Sequence, residues 1–294
     1  MTLTPLVGVD VGGTTIKARL ADAGRRTVQE WRRPTPRRDH SGAETVDVIA
    51  EIFALAREAA PAGASVAALG VVVPGMVDDA SGTCIRAVNL GWENLPLRDL
   101  VAERLDVAVA FGHDVRAGAL AEAVSGAALG HPGTFAFVPV GTGLASAIGA
   151  DGIIAPREDW AGEIGQVVIG HGTYSGRRVE EIASASGIAR ETVQPNARAA
   201  AELVRAGDPA AVRVWNDAVE ALGETIAWIV ATSGADLIVV GGGLAEAGTL
   251  LLDPLAAVVA RRAPRDIPVA LKRAVHGEAA AIAGALILAE RLQG

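Results

Sequence analysis

Two glycine-flanked turns constrain this chain more than any other feature. The first lies in Leu6-Val7-Gly8-Val9-Asp10-Val11-Gly12-Gly13-Thr14-Thr15-Ile16-Lys17 and the second in Phe137-Val138-Pro139-Val140-Gly141-Thr142-Gly143-Leu144-Ala145. In each, an apolar strand runs into a Gly/Thr turn. An alternating segment then leaves it: Ile16, Ala18, Leu20 in one case and Leu144, Ser146, Ile148 in the other. Glycine lets the main chain bend sharply and approach a ligand closely, and successive backbone N–H groups can form a concave anion nest. Two such hairpins facing each other would grip a polyphosphate from both sides, which points to phosphoryl transfer. Two other phosphate motifs are excluded. Thr14 stands where a Walker lysine would be, and the segment after Asp10 has strand rather than helix periodicity, which removes a dinucleotide fingerprint.

At 294 residues the chain is too long for one compact core and suits two lobes. Half of it is hydrophobic but only 3% is aromatic, so the core must be built from Val, Leu, Ile and Ala. A net charge of −8 argues against nucleic acid, whose binding needs a basic footprint. Cys84 stands alone, which excludes an intramolecular disulfide and fits a reducing compartment. The N-terminus lacks the pattern of a signal peptide, and no run reaches the ~18 apolar residues of a membrane span. A soluble cytoplasmic protein with no membrane partner is the expectation.

Short apolar runs bounded by Gly or Pro at Val66–Val73, Val107–Phe111, Thr134–Val140 and Leu237–Val240 read as buried strands. Helical periodicity appears at Glu44–Ala60, Val115–Leu129, Ala210–Thr232, Gly248–Arg262 and Glu278–Leu292. This α/β rhythm, with no low-complexity linker, places a lobe boundary near residue 112. The smaller lobe would be 1–112 and the larger 113–277, with a last helix over about 278–294 returning to the first. The stretch Arg32-Arg33-Pro34-Thr35-Pro36-Arg37-Arg38 reads as a solvated surface connection.

Phe111-Gly112-His113-Asp114-Val115-Arg116 puts an aspartate where a buried strand ends and an amphipathic helix begins. Asp114 there could simply cap the helix. Ligands of α/β sheets also sit at this end of a strand, where a carboxylate can accept the proton of an attacking hydroxyl. Both readings stand on the residue alone.

Taken together, the motifs resemble those of the ROK family (repressors, open reading frames and sugar kinases), nearly end to end. The resemblance runs through Gly8–Lys17, the Pro74-Gly75 turn, Asn89-Leu90-Gly91-Trp92, His113-Asp114, Gly141-Thr142-Gly143, Glu163-Ile164-Gly165-Gln166, Glu180-Glu181-Ile182-Ala183-Ser184, Gly241-Gly242-Gly243 and Gly277-Glu278…Gly284-Ala285. It implies a two-lobed actin-like, hexokinase-type (ribonuclease H-like) α/β ATPase fold, with a nucleotide and sugar cleft between the lobes. It also implies a glucokinase-like enzyme that transfers the γ-phosphoryl group of ATP to a hexose 6-hydroxyl. Asp114 would be the general base, and Gly75, Asn89, His113, Asp114, Glu163, Gln166 and Glu180 would line the sugar site. Asp10, Gly12, Gly13, Thr14, Thr15 and Lys17, with Gly141, Thr142 and Gly143, would handle the phosphates. Asp10 would serve Mg²⁺, directly or through water, and Gly242 and Gly243 would lie beside the nucleoside. A homodimer is common in the family.

The chain departs from the family pattern in three ways. Where the family carries a Cys-x-Cys-Gly-x-x-Gly-Cys run that helps to hold a structural zinc, this chain reads His171-Gly172-Thr173-Tyr174-Ser175-Gly176-Arg177-Arg178. Gln166 replaces the histidine of Glu-x-x-His. Tetrahedral zinc needs four N/S ligands, so a zinc-free loop is expected. His113 replaces an asparagine that contacts sugar hydroxyls, and an imidazole offers a different donor and acceptor set. Two readings follow: glucose remains the substrate, or the site is re-cut for a modified or amino hexose such as kanosamine (3-amino-3-deoxyglucose). A non-catalytic sugar sensor and a polyphosphate-dependent glucokinase are the alternatives. Gly8 already lies in the first phosphate motif, so a repressor's DNA-binding segment is not expected. Actin-type proteins would lack the Glu163…Gln166…Glu180 constellation.

Overall fold

The computed structural model describes residues 4–61, 64–155, 162–170, 172–264 and 267–293. These form two compact units, one built from residues 4–121 and 281–293 and the other from 122–155 and 162–280.

In the first unit, β1 (Leu6–Val11), β2 (Thr15–Ala21) and β3 (Thr27–Pro34) form an antiparallel meander. Helix α1 (Ala43–Ala59) follows, then β4 (Ala68–Val73). A small antiparallel sheet comes next: β5 (Met76–Asp78), β6 (Thr83–Ala87) and β7 (Trp92–Leu95). Then come α2 (Leu97–Leu105), β8 (Ala108–His113) and α3 (Asp114–Ser125). The main sheet has the order β3-β2-β1-β4-β8, with β4 parallel to both β1 and β8. All six residues of β4 are buried. That is what a central parallel strand covered on both faces requires. On β2 the alternation places Ile16, Ala18 and Leu20 in the core.

The second unit repeats this plan. Strands β9 (Thr134–Pro139), β10 (Ala147–Ala150) and β11 (Ile153–Ile154) form the meander. Helices α4 (Glu180–Ala183), α5 (Ala185–Glu191), α6 (Ala197–Arg205) and α7 (Pro209–Ser233) come next. They are followed by β12 (Leu237–Gly241), α8 (Thr249–Arg262) and β13 (Ala270–Arg273). The sheet order is β11-β10-β9-β12-β13, with β12 parallel to β9 and β13. Helix α7 starts on Asp208, whose side chain accepts from the amides of Ala210 and Ala211, and Pro209 occupies its first turn. Its buried face, including Trp215, Leu222 and Ile226, packs on α8 through Leu255 and Val259.

The last helix, α9 (Ala280–Arg291), lays Leu286 and Ala289 on Leu6, Ala21 and Ala68, while Ala285 meets Val72 and Ala117. The chain after Leu144 differs from the simple hairpin expected at the second turn. Strand β10 begins only at Ala147, because the amide of Ser146 donates to Gly162 O at 2.8 Å and Leu144 O accepts from Gly165 at 3.0 Å. The strand leaving the turn is thus diverted to pair with the segment that carries Glu163 and Gln166. No described helix is long and apolar enough to cross a membrane.

Candidate active site

In the first unit, three parallel strands deliver their carboxyl ends side by side. Asp10 lies at the end of β1, Gly75 just beyond β4, and His113 and Asp114 at the end of β8. This is the edge where open α/β sheets bind ligands. Asp114 is the first residue of α3, and one of its oxygens meets the Val115 amide at 2.7 Å. Burial pushes its carboxyl from 3.8 up to about 6, against the pull of that amide and of Arg116. Asp10 is pushed up to about 7, first by burial and then by the charge of Asp114, while Lys17 opposes the shift. Lys17 is its cross-strand partner on β2. The Asp114 charge raises the proton affinity of Asp10, which leaves this strand edge short of positive charge.

His113 is buried, and its Nε2 lies 3.4 Å from Asp114 Oδ1. Burial and the nearby Arg116 push the ring down to about 3, so the imidazole is neutral at any physiological pH. Its Nδ1 is buried without a hydrogen-bond partner. A buried polar atom without a partner costs about 1–3 kcal/mol, and a ligand group can fill that role.

The first glycine turn is closed by Gly12 N donating to Thr15 O at 3.1 Å. It is braced from outside by Thr35, whose hydroxyl donates to Gly12 O at 2.6 Å and whose amide donates to Thr14 O at 3.1 Å. Gly13 and Thr14 stand exposed at its tip. Asn89 is exposed beside it, and a Cβ on Gly13 would lie 3.5 Å from the Asn89 Cβ. The Asn89 segment is anchored through Trp92, whose Nε1 donates to Asp39 O at 2.8 Å. The Asp39 carboxylate in turn receives the first amides of α1, from Glu44 and Thr45. At Gly75, φ is +96° and a Cβ would collide with the Arg86 carbonyl, so backbone shape alone requires a glycine there.

In the second unit the Gly141–Gly143 turn is a hub. Gly141 N donates to Gly143 O at 3.0 Å and Gly141 O accepts from Ala185 at 2.9 Å, while Thr142 and Gly143 are exposed. A Cβ at Gly141 would meet no atom within 4 Å, so the space above it is open. On one side, Val140 N donates to Gly241 O and Val140 O accepts from Leu244, which fixes Gly242 and Gly243 against the turn. Gly242 has φ +74°, and a Cβ there would stand 2.5 Å from Val140 O. On the other side lies the diverted segment. Gln166 Nε2 donates to Glu180 Oε1 at 2.7 Å, and Glu180 Oε2 would be 3.3 Å from a Cβ on Gly143. Glu163 precedes the short turn Ile164–Gln166 and is partly buried.

Sequence reasoning missed Thr35, Asp39, Asp79 and Arg116. Arg116 binds Asp79 through two nitrogens, at 2.8 and 3.1 Å, and donates to Val77 O at 3.0 Å. It is thereby held close enough to bias both His113 and Asp114. Its place two residues after Asp114 was the only available signal, because its partners lie on a separate strand and loop. His171 lies outside the described residues. Among the described residues no group of three or more His, Cys, Asp or Glu is arranged to hold a metal.

The model of the ROK family matches residues 6–292, so the chain belongs to the ROK family. It is 29% identical over 275 residues to a glucokinase of Halalkalibacterium halodurans, covering 85% of this chain and 83% of that protein. An N-acetylgalactosamine kinase of Shewanella sp. (strain ANA-3) is 27% identical over 304 residues, 97% of this chain and 96% of that one. Among solved structures, a ROK family glucokinase from Streptomyces griseus in complex with glucose and AMPPNP superposes with a TM-score of 0.83 at 27% identity, covering 99% of this chain and all of that one. The fold is the two-lobed actin-like kinase fold.

Proposed function

We propose that this protein is a sugar kinase that transfers the γ-phosphoryl group of ATP to the 6-hydroxyl of a hexose, glucose or an amino-modified relative, with Asp114 as general base. The observation that carries this reading is the strand-end arrangement of the first unit. A carboxylate poised near 6, next to a neutral imidazole and a glycine phosphate turn, suits proton acceptance at neutral pH. Most of Asp114 is ionised at pH 7, yet its affinity for a proton exceeds that of an ordinary aspartate. As the hexose O6 forms its bond to the γ-phosphorus and the bond from that phosphorus to the ADP oxygen breaks, the O6 proton passes to an Asp114 oxygen. His113 is oriented by its buried seat and offers the unpartnered Nδ1 to a neighbouring sugar group. Asn89, Glu163, Gln166 and Glu180 supply the remaining sugar contacts, and the backbone at Gly75 shapes the turn beside them.

The main-chain amides of Gly12 and Gly13, with Thr14, Thr15 and Lys17, bind phosphate oxygens, as do Gly141, Thr142 and Gly143. Gly242 and Gly243 let the nucleoside approach the backbone. Asp10 fits a divalent cation, because a carboxylate pushed up to about 7 gains most from a nearby positive charge. Bound Mg²⁺ would neutralise phosphate charge. The work of the chain's own residues is positioning, water exclusion and placement of one proton acceptor.

A coupled ADP-release screen over glucose, mannose, fructose, N-acetylated hexosamines and 2- and 3-amino hexoses tests the reading. Sugar-dependent ADP formation with at least one hexose is expected. ADP release that is the same with and without every sugar would refute it.

A further inference from the structure

Glu180 and Gln166 face each other across the neck of a loop whose apolar packing is limited to Val179 and the partly buried Ile169. Of its described residues between Val167 and Val179, only Val179 is buried, and Val167 and Val168 are 56% and 57% exposed. A single antiparallel bridge, Val168 to Arg178, joins the two arms. A few main-chain bonds support it: Val179 N to Val167 O, Ile169 N to Arg177 O and Gly176 N to Ile169 O, at 2.8–2.9 Å. A segment with so little buried apolar surface opens easily unless side chains tie it down.

The ties come from two residues at its tip. Tyr174 donates its hydroxyl to Asp217 on α7 at 2.7 Å. Arg177 lies over the Tyr174 ring, 5.4 Å from its centroid, and donates to Glu191 on α5 at 2.7 Å and to Glu181 O at 3.2 Å. The Glu181 carbonyl also receives Arg190, and its carboxylate receives the Arg178 amide at 2.6 Å. One connected network therefore runs from α7, through the stacked Tyr174–Arg177 pair, to the start of α4, one residue from Glu180. Asp217 as acceptor helps push the Tyr174 hydroxyl up to about 12, so Tyr174 stays a phenol donor across the working pH range.

We infer that Tyr174 and Arg177 form a clasp that sets the Gln166–Glu180 pair in place for sugar binding, and that both are positioning residues of this enzyme. The inference rests on the sugar-kinase reading above. Ion pairs this exposed add little to global stability. The clasp's contribution is local, fixing two side chains whose hydrogen-bonding geometry a sugar needs.

The test uses the full chain with Tyr174→Phe, Arg177→Gln and the double substitution, none of which removes a sugar-contacting group. Misplacement of binding groups by about 1 Å can lower rates by ~10²-fold, so sugar KM should rise about 5- to 50-fold while nucleotide KM stays within about twofold. Amide exchange at Ile169, Gly176, Arg177 and Val179 should quicken by at least about tenfold, with the melting temperature moving by only a few degrees. An unchanged sugar KM in the double variant overturns the clasp, as does a raised KM with unchanged exchange. A wild-type protein that phosphorylates no hexose overturns the functional reading, and the sugar-positioning role falls with it. Unchanged exchange in an active enzyme overturns the clasp alone.

Discussion

Replacing Asp114 with Asn should make the protein inactive and more stable at once, and the two effects have the same cause. In the folded protein its carboxyl is pushed from 3.8 up to about 6 by burial. Between those values the folded state binds a proton that the unfolded chain does not, so wild-type stability falls as pH rises from about 4 to 6 and then levels off. At 1.36 kcal/mol per decade, the gap amounts to about 3 kcal/mol of destabilisation at pH 7 and above. Asparagine carries no charge and keeps an oxygen for the Val115 amide, so most of that destabilisation should disappear, on the order of 1–3 kcal/mol. Denaturant midpoints of the two proteins measured from pH 4 to 8 should diverge up to pH 6 and run parallel beyond it. Turnover, measured by coupled ADP release, should fall by about 10²- to 10⁴-fold, the usual worth of a general base. In the wild type, kcat/KM should decline on the acid side with an apparent pKa near 6. A variant that keeps a tenth or more of wild-type turnover, or one that is less stable than wild type at pH 8, would refute the argument.

Four further outcomes follow from the same structure. His113→Asn should raise efficiency on glucose relative to 3-amino-3-deoxyglucose if the site is cut for an amino sugar. A ratio unmoved beyond about twofold, with glucose the best wild-type substrate, would fix the enzyme as a plain glucokinase, since a lost buried partner is worth roughly 1–3 kcal/mol. Because the His113 ring is held near 3, acid loss of activity should follow Asp114 and persist in the His113 variant. Elemental analysis of protein prepared in metal-free buffer should find far less than one equivalent of zinc, and a chelator should leave the melting temperature unchanged. Leu286→Ala should lower stability by about 2–5 kcal/mol in denaturant titration, because Leu286 fills the seat formed by Leu6, Ala21 and Ala68.

Strongly periodic, buried elements were legible from the sequence alone. The apolar runs around Leu69, Phe137 and Val239 are strands, and the long periods containing Phe53, Ile226 and Val258 are helices. Short or exposed elements were not. Strand β13 has no buried residue, and helix α2 buries only Leu97 and Val101, so neither carries a readable stripe. Helix α3 stops at Ser125, short of the Leu129 its periodicity suggested. The buried Glu122 carboxylate draws the Ala127 amide to 2.7 Å and also binds the amides of Val275 and His276. Such long-range polar ties leave no periodic trace. The same holds at the candidate site. Gly12, Gly13, Asp114 and Gly141–Gly143 were visible because turns and strand ends have local signatures, whereas Thr35, Asp79 and the diversion of Ser146 onto Gly162 depend on partners distant in sequence.

Phosphoryl transfer to the hexose 6-hydroxyl is tested by ³¹P NMR of a single reaction containing the wild-type protein, ATP, Mg²⁺ and the hexose that gives the fastest ADP release. A hexose 6-phosphate resonance should grow in step with ADP as the γ-phosphorus signal of ATP disappears. Free inorganic phosphate as the sole product, or a phosphate carried on another hydroxyl, would contradict it.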